Sequence, residues 1–193
     1  MKSVKESSNT IIIKNSRFIT YIYHVDNVDE VNEYLTEIKK KYPDATHHCY
    51  AYIIDSIRHE SDDGEPSGTA GIPMLQVLEK NDLNHVLCIV VRYFGKIKLG
   101  AGGLVRAYTR SVVEAIKDNI VTLEAGYLVS LKFDYSLLKK IDYLLKDIEI
   151  VNKSFDNIII YQAKIDDDLK NKLNDTSNIK IEVLDNIYIN KKE

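Results

Sequence analysis

Two glycine-rich segments and one pair of adjacent histidines hold the residues of this chain best suited to chemistry. The first segment reads Asp62-Asp63-Gly64-Glu65-Pro66-Ser67-Gly68-Thr69-Ala70-Gly71-Ile72-Pro73. Glycine lets a ligand approach the main chain, and Ser67 and Thr69 add hydroxyls. Pro73 suits the first turn of a helix, whose start offers unpaired N–H groups. Gly64, Ser67, Gly68 and Thr69 therefore suit a cradle for an anion such as phosphate. The same residues equally suit a structural loop that caps its own helix. The three acids do not alternate over twelve residues as calcium ligands do, so no metal is expected there.

The second segment runs from Arg92-Tyr93-Phe94-Gly95-Lys96-Ile97-Lys98 through Leu99-Gly100-Ala101-Gly102-Gly103 to Leu104-Val105-Arg106-Ala107-Tyr108. A buried strand should end at Arg92, a glycine-rich turn should follow, and a helix should begin near Leu104. Helix starts carry a positive dipole end, and arginine can hold a phosphate with two parallel bonds. Arg92, Tyr93, Lys98, Gly102, Gly103 and Arg106 form the candidate ligand set here, with Arg110 one turn further on. No standard nucleotide motif is present. Position 105 is Val where the dinucleotide fingerprint needs Gly, and no Lys-Ser or Lys-Thr pair follows the glycines. Glycines used for tight packing and arginines on solvated faces are the plain alternative, and Arg110 and Glu114, four apart, could simply pair.

The histidine pair lies in His47-His48-Cys49-Tyr50-Ala51-Tyr52. In a strand His47 and Cys49 share one face, and His48, Tyr50 and Tyr52 the other. Zinc needs about four ligands, and only Cys88 could add a second sulfur, so no metal or cofactor is assigned. A Ser67–histidine–aspartate catalytic set rests on sequence alone. A packed, hydrogen-bonded histidine beside one that helps bind an anion is the simpler expectation.

Charge distribution sharpens this reading. The net charge of the 193-residue chain is −3. Yet all five arginines (Arg17, Arg58, Arg92, Arg106, Arg110) and all five histidines precede residue 111. Between Val86 and Lys117, Arg92, Lys96, Lys98, Arg106, Arg110 and Lys117 face Glu114 alone. A local basic excess can set a contact surface even when total charge opposes it; Arg58 is also placed in the candidate set. No apolar run is long enough to span a membrane, and the N-terminus lacks the apolar core of a signal peptide. The two cysteines, Cys49 and Cys88, lie in apolar, strand-like runs and read as buried reduced thiols, which points to the cytoplasm.

The elements that must position these residues form an α+β chain. Thr10 to Val25 gives two strand-like pieces about Asn15-Ser16-Arg17. A helix should start at Asn27 or Asp29 and run to about Lys41, with Val31, Tyr34, Leu35 and Ile38 at helical spacing. Thr46 to Ile54 reads as a strand, Pro73 to about Leu78 as a helix, Val86 to Phe94 as a strand buried on both faces, and Leu104 to Asp118 as a helix. Seven of the eight glycines lie between Gly64 and Gly103. The eighth, Gly126, marks the expected boundary between a first domain, 1–125, and a second, 126–193. The second reads strand (Tyr127–Tyr135), helix capped by Ser136, strand (Ile148–Phe155), Asp156-Asn157 turn, strand (Ile158–Ile165), short helix opened by Asp166-Asp167-Asp168, and strand (Ile179–Ile189). That is a βαββαβ order, a ferredoxin-like unit.

Taken together, five blocks resemble the YigZ/IMPACT family. They are Ser16-Arg17-Phe18-Ile19; Asp44-Ala45-Thr46-His47-His48-Cys49-Tyr50-Ala51-Tyr52; Asp62 to Gly71; Arg92-Tyr93-Phe94-Gly95; and Lys98 to Tyr108. One position departs: the family usually has a second glycine after Gly95, and here it is Lys96. If that position needs a positive φ, lysine is strained there by roughly 1 kcal/mol or more. The resemblance implies a first domain like the second domain of the fifth small-subunit ribosomal protein and like elongation factor G domain IV. It implies a second domain like domain V of that factor. It also implies a role in translation control, with RNA, a ribosomal surface or a protein partner as ligand. A non-enzymatic translation-associated protein is the leading expectation. An enzyme acting on a small phosphorylated or acyl substrate and a protein-binding adaptor are the alternatives.

Overall fold

A computed structural model of the chain describes residues 1–190. The chain divides into two compact units, Met1–Thr122 and Leu123–Glu193. Among the described residues no helix is long and apolar enough to cross a membrane.

The first unit is built from β1 (Lys2–Val4), β2 (Ser7–Ile13), β3 (Ser16–His24), α1 (Val28–Lys41), β4 (His47–Ile54), β5 (Ile57–Ser61), α2 (Gly71–Lys80), β6 (Val86–Tyr93) and α3 (Ala101–Ile116). Five strands form one antiparallel sheet in the order β2-β3-β6-β4-β5. Alternation along the strands sends side chains to two separate cores. Phe18, Ile22, Cys49, Ala51, Cys88 and Val90 pack with Met74, Leu78, Leu104, Tyr108 and Val112 of α2 and α3. Ile19, Tyr52, Leu87, Ile89 and Val91 pack on the opposite face with Val31 and Ile38 of α1. Covered on both faces, β6 is buried from Val86 to Arg92, as its nearly continuous apolar run requires.

Local chemistry explains most of the boundaries. Asn27 caps α1 by accepting the Glu30 N–H at 3.0 Å, and Glu30 reaches back to accept the Asp26 N–H at 2.8 Å. β2 and β3 are joined by Lys14-Asn15, both at positive φ (46° and 62°), the two-residue turn whose twist matches the strands. Besides the short strand β1 and the start of α2 at Gly71 rather than Pro73, two larger features depart from expectation. The edge strand β5 went unrecognised because its first residues, Ile57, Arg58 and His59, are all exposed and no face is apolar. Helix α3 begins at Ala101 rather than Leu104, so Gly102 and Gly103 lie in its first turn and not in a loop.

The second unit takes up β7 (Ile120–Phe133) from Leu123 onward. The first three residues of β7 pair with β1 in the first unit. The unit continues through a 3-10 turn (Tyr135–Leu137), α4 (Leu138–Leu144), β8 (Ile150–Phe155), β9 (Ile159–Ile165), α5 (Asp167–Asn174) and β10 (Ile179–Asn190). The sheet order is β10-β7-β9-β8, antiparallel throughout, which makes a βαββαβ arrangement. Val129, Leu131 and Phe133 pack with Ile141, Ile159, Tyr161, Leu169 and Leu173 beneath it. Asp166 caps α5 through the Leu169 N–H at 2.7 Å. Ser136 is not a helix cap: it sits inside the 3-10 turn, and α4 is only seven residues long. The β8–β9 loop has three residues, not two, because Phe155 pairs with Ile159.

Candidate functional site

Strand direction brings the two glycine segments to one end of the first sheet. β5 and β6 end there while β3 and β4 begin there: Arg17 pairs with Tyr93, His47 with Arg92 and Tyr50 with Ser61. The first segment leads from this end into α2, the second into α3.

The cradle in the first segment is real, but its anion is internal. Asp62 Oδ2 accepts the Gly68 N–H at 2.7 Å, and Oδ1 accepts the Ala70 and Gly71 N–H groups at 2.9 and 2.8 Å. Partial burial pushes the Asp62 pKa up, but these three backbone donors outweigh it and hold the carboxyl below the usual range. Thr69 is buried and its hydroxyl donates inward to the Pro66 carbonyl at 2.6 Å. Ser67 is exposed, and among the described residues no hydrogen bond joins it to a histidine. The expectation that Gly68 and Thr69 offer donors to an external phosphate does not fit this arrangement: Asp62 takes the Gly68 N–H, and the Pro66 carbonyl takes both the Thr69 N–H, at 3.1 Å, and its hydroxyl.

Arg92 is corrected as well. Period-2 alternation points it to the face of Cys88 and Val90, beneath α3. Its side chain is 6% exposed and its Nη1 lies 2.5 Å from Glu65 Oε1, itself 3% exposed. The Tyr108 hydroxyl donates to the same oxygen at 2.8 Å, and Arg92 Nη2 donates to Ser16 Oγ at 3.3 Å. Cys49 Sγ lies 3.3 Å from Tyr108 Oη. Burial drives the Tyr108 phenol and the Cys49 and Cys88 thiols far above their usual range, so none ionises near neutrality. Arg92 thus ties β6 to the first glycine segment and cannot reach an external phosphate. Sequence did carry a signal for this: an arginine inside a strand buried on both faces needs an internal carboxylate.

The histidines seal the same region. His47 donates from Nδ1 to the Asp63 carbonyl at 2.8 Å and turns Nε2 toward Glu65 Oε2 at 3.8 Å. His48 is buried and donates from Nε2 to the Tyr42 carbonyl at 3.0 Å, while its backbone N–H goes to Asp63 Oδ2 at 2.6 Å. Two further glycines are required by packing. A Cβ on Gly95 would stand 2.0 Å from the Asn15 carbonyl carbon, and one on Gly71 would stand 2.8 Å from the Ser61 nitrogen.

What faces outward is basic. Lys14, Arg17, Lys96, Lys98 and Arg106 are all exposed, with Arg106 Nη1 close enough to meet a Cβ on Gly102 at 3.8 Å. Arg17 stacks on the Tyr93 ring, its Cζ 4.4 Å from the centroid, and the Tyr93 hydroxyl donates to Asp44. Phe94 and Ile97 are exposed in the same loop, at 44% and 46%. Lys96 adopts φ +65°, the left-handed conformation that lysine resists. Asp44 and Asp63 are exposed acids beside the start of β4. Two candidates fall outside the cluster. Arg110 is exposed one turn along α3 with Nε 4.0 Å from Glu114, and Arg58 sits on edge strand β5 paired with Glu79 at 3.2 Å. Among the described residues, His24, Asp26 and His85 are close enough together to hold a metal ion, and they lie at the other end of the sheet.

Comparison with known proteins gives consistent matches. The family model described as the Impact N-terminal domain matches residues 14–116. The chain is 44% identical over 156 residues to IMPACT family member YvyE of Bacillus subtilis (strain 168), covering 78% of this chain and 72% of that one. It is 36% identical over 162 residues to IMPACT family member YigZ of Escherichia coli (strain K12), covering 79% of each. A solved structure described as the crystal structure of a hypothetical protein aligns over 95% of this chain and 98% of its own, with 30% identity and a TM-score of 0.60.

Proposed function

Because the chain belongs to the IMPACT family, we propose that it is a non-enzymatic, translation-associated regulator whose first unit binds RNA, free or on a ribosomal surface. One observation carries this reading. Asp62 is matched by backbone N–H groups and Glu65 by Arg92, and the exposed Asp44 and Asp63 accept from the Tyr93 hydroxyl and the His48 N–H, so each of these acids has an internal partner beside the outward cations. Lys14, Arg17, Lys96, Lys98 and Arg106 provide the charge, and Phe94 provides a ring on which a base can stack. The likeness to a small-subunit ribosomal protein domain and to elongation factor G domains IV and V, which the family implies, fits the same reading.

Neutralised phosphates release counterions, so binding must weaken with salt. The test is fluorescence anisotropy of a labelled single-stranded RNA titrated with the full chain at several salt concentrations. Four phosphate contacts predict a log–log slope of about −3. A slope near zero sinks the RNA reading. A partner captured from lysate that survives nuclease and high salt supports a protein-binding adaptor instead.

A further inference from the structure

At the end of the sheet away from the glycine segments, β3 finishes at His24 opposite Val86, where β6 begins. His85 immediately precedes β6 and is 5% exposed at its side chain; His24 is 28% exposed and Asp26 52%. One ligand atom from each of these three residues lies within 4.8 Å of the other two. Asp26 Oδ1 is 3.2 Å from His24 Nε2 and 3.2 Å from His85 Nδ1. Donors on a tetrahedral ion with bonds of about 2.0–2.1 Å stand roughly 3.3 Å apart, so the spacing suits one shared ion.

The surrounding hydrogen bonds decide which atoms are lone pairs. Ser3 is fully buried and its hydroxyl has one proton, which it donates to the His85 carbonyl at 2.9 Å. Its oxygen is also 2.8 Å from His24 Nδ1, so it accepts there, and Nδ1 carries the proton. A neutral His24 then aims its Nε2 lone pair at the Asp26 carboxylate. His85 meets the same conflict, with Asp55 Oδ1 3.0 Å from Nε2 and Asp26 on Nδ1. One proton on a neutral ring can serve only one of those carboxylates. A proton on Nε2 directed at Asp55 reproduces the carboxylate–histidine–metal arrangement that orients ligand imidazoles. Three lone-pair atoms then converge: His24 Nε2, Asp26 Oδ1 and His85 Nδ1. A cation among them removes both conflicts at once. The backbone is pinned to suit, since Asn84 Oδ1 accepts the N–H groups of Asp55 at 2.8 Å and His85 at 2.9 Å.

We propose that His24, Asp26 and His85 bind a divalent transition metal of the zinc class, with Ser3 and Asp55 as positioning residues for the two imidazoles. Two imidazoles and one carboxylate favour zinc and its neighbours over magnesium or calcium, which prefer all-oxygen sets. Three protein ligands leave a fourth position for water. The site ties the ends of β3 and β6 to the β4–β5 turn, independently of the RNA reading.

The test uses the tag-free full chain. Zn²⁺ titrated calorimetrically should bind one-to-one, Co²⁺ should develop visible d–d bands that Zn²⁺ bleaches, and Mg²⁺ should do neither. Asp55→Asn should weaken Zn²⁺ binding about 10–100-fold, and His24→Gln by at least as much. His85→Gln is the stronger lesion but its ring is buried, so far-UV circular dichroism must accompany it. His24→Gln, at a partly exposed position, keeps the test sound if His85→Gln misfolds. Failure of the wild type to bind Zn²⁺, equal binding of Mg²⁺, or unchanged affinity in folded His24→Gln overturns the site.

Discussion

Replacing Glu65 by alanine should leave the Arg92 guanidinium buried without its carboxylate. Nη1 loses its 2.5 Å partner and the Tyr108 hydroxyl loses its acceptor, while Nη2 keeps only Ser16. Among the described residues Arg92 Nε already has no hydrogen-bond partner, so losing Glu65 leaves the guanidinium poorly satisfied. Removing one member of a buried pair typically costs about 3–5 kcal/mol, because the remaining charge stays desolvated. Against a total stability of about 5–15 kcal/mol this is a large fraction. For a unit of this size it lowers the melting temperature by roughly 10–20 °C. Urea denaturation of the full chain, followed by a probe confined to the first unit, reads the loss directly. The paired replacement Glu65→Leu with Arg92→Met removes both charges and should recover most of the loss, since apolar substitutes for a buried pair are often neutral or better. A single Glu65→Ala costing under about 1 kcal/mol, or a double variant worse than the single, refutes the assignment of this pair as structural.

Three further outcomes follow from the same geometry. Gly95→Ala places a Cβ 2.0 Å from the Asn15 carbonyl carbon and should cost about 3 kcal/mol or more in chemical denaturation. Lys96→Gly relieves about 1–2 kcal/mol of left-handed strain at φ +65° and gives back about 0.5–1 kcal/mol to the more flexible unfolded chain, so thermal melts should show a small net stabilisation. Asp62 has a depressed folded pKa against an unfolded value of about 3.9, so its contribution is full above about pH 4 and is lost as pH falls through the folded value; acid titration of Asp62→Asn should show a shallower loss than wild type over that window.

The elements with strong periodicity were legible in the sequence, while several of the turns and edges between them were not. Helix α1 showed its start to within Asn27 or Asp29, of which Asn27 is the cap, and its buried stripe of Val31 and Ile38; β6 showed an apolar run that only two covered faces can explain. β5 was hidden because an exposed edge strand has no apolar face to read. The start of α3 was misplaced because Gly102 and Gly103 read as turn residues, although a helix can begin on them. For the site, position along the chain was informative and partnership was not. Arg92 and Glu65 are 27 residues apart, and nothing in their spacing declares a bond that only the strand face and loop closure create. Asp62 likewise reads in the sequence only as one of three acids that do not fit a calcium loop, and its role appears when the loop folds back on it. The proposed zinc-class cluster has no signature in the spacing, because His24 and Asp26 at the end of β3 meet His85, about sixty residues further on, only through sheet register.

On the RNA-binding proposal, outward cations beside α3, not the buried Arg92, make the contact surface. It is tested most directly by comparing two charge-reversed proteins for binding to the same labelled RNA at fixed low salt. One carries Lys98→Glu with Arg106→Glu in the first unit; the other carries Lys139→Glu with Lys146→Glu in the second. Equal loss or retention of charge on folded protein isolates location from total charge. The account predicts that the first variant loses affinity at least 10-fold and flattens the salt slope by about 1–2, while the second stays close to wild type. Equal affinity of the two variants would contradict it.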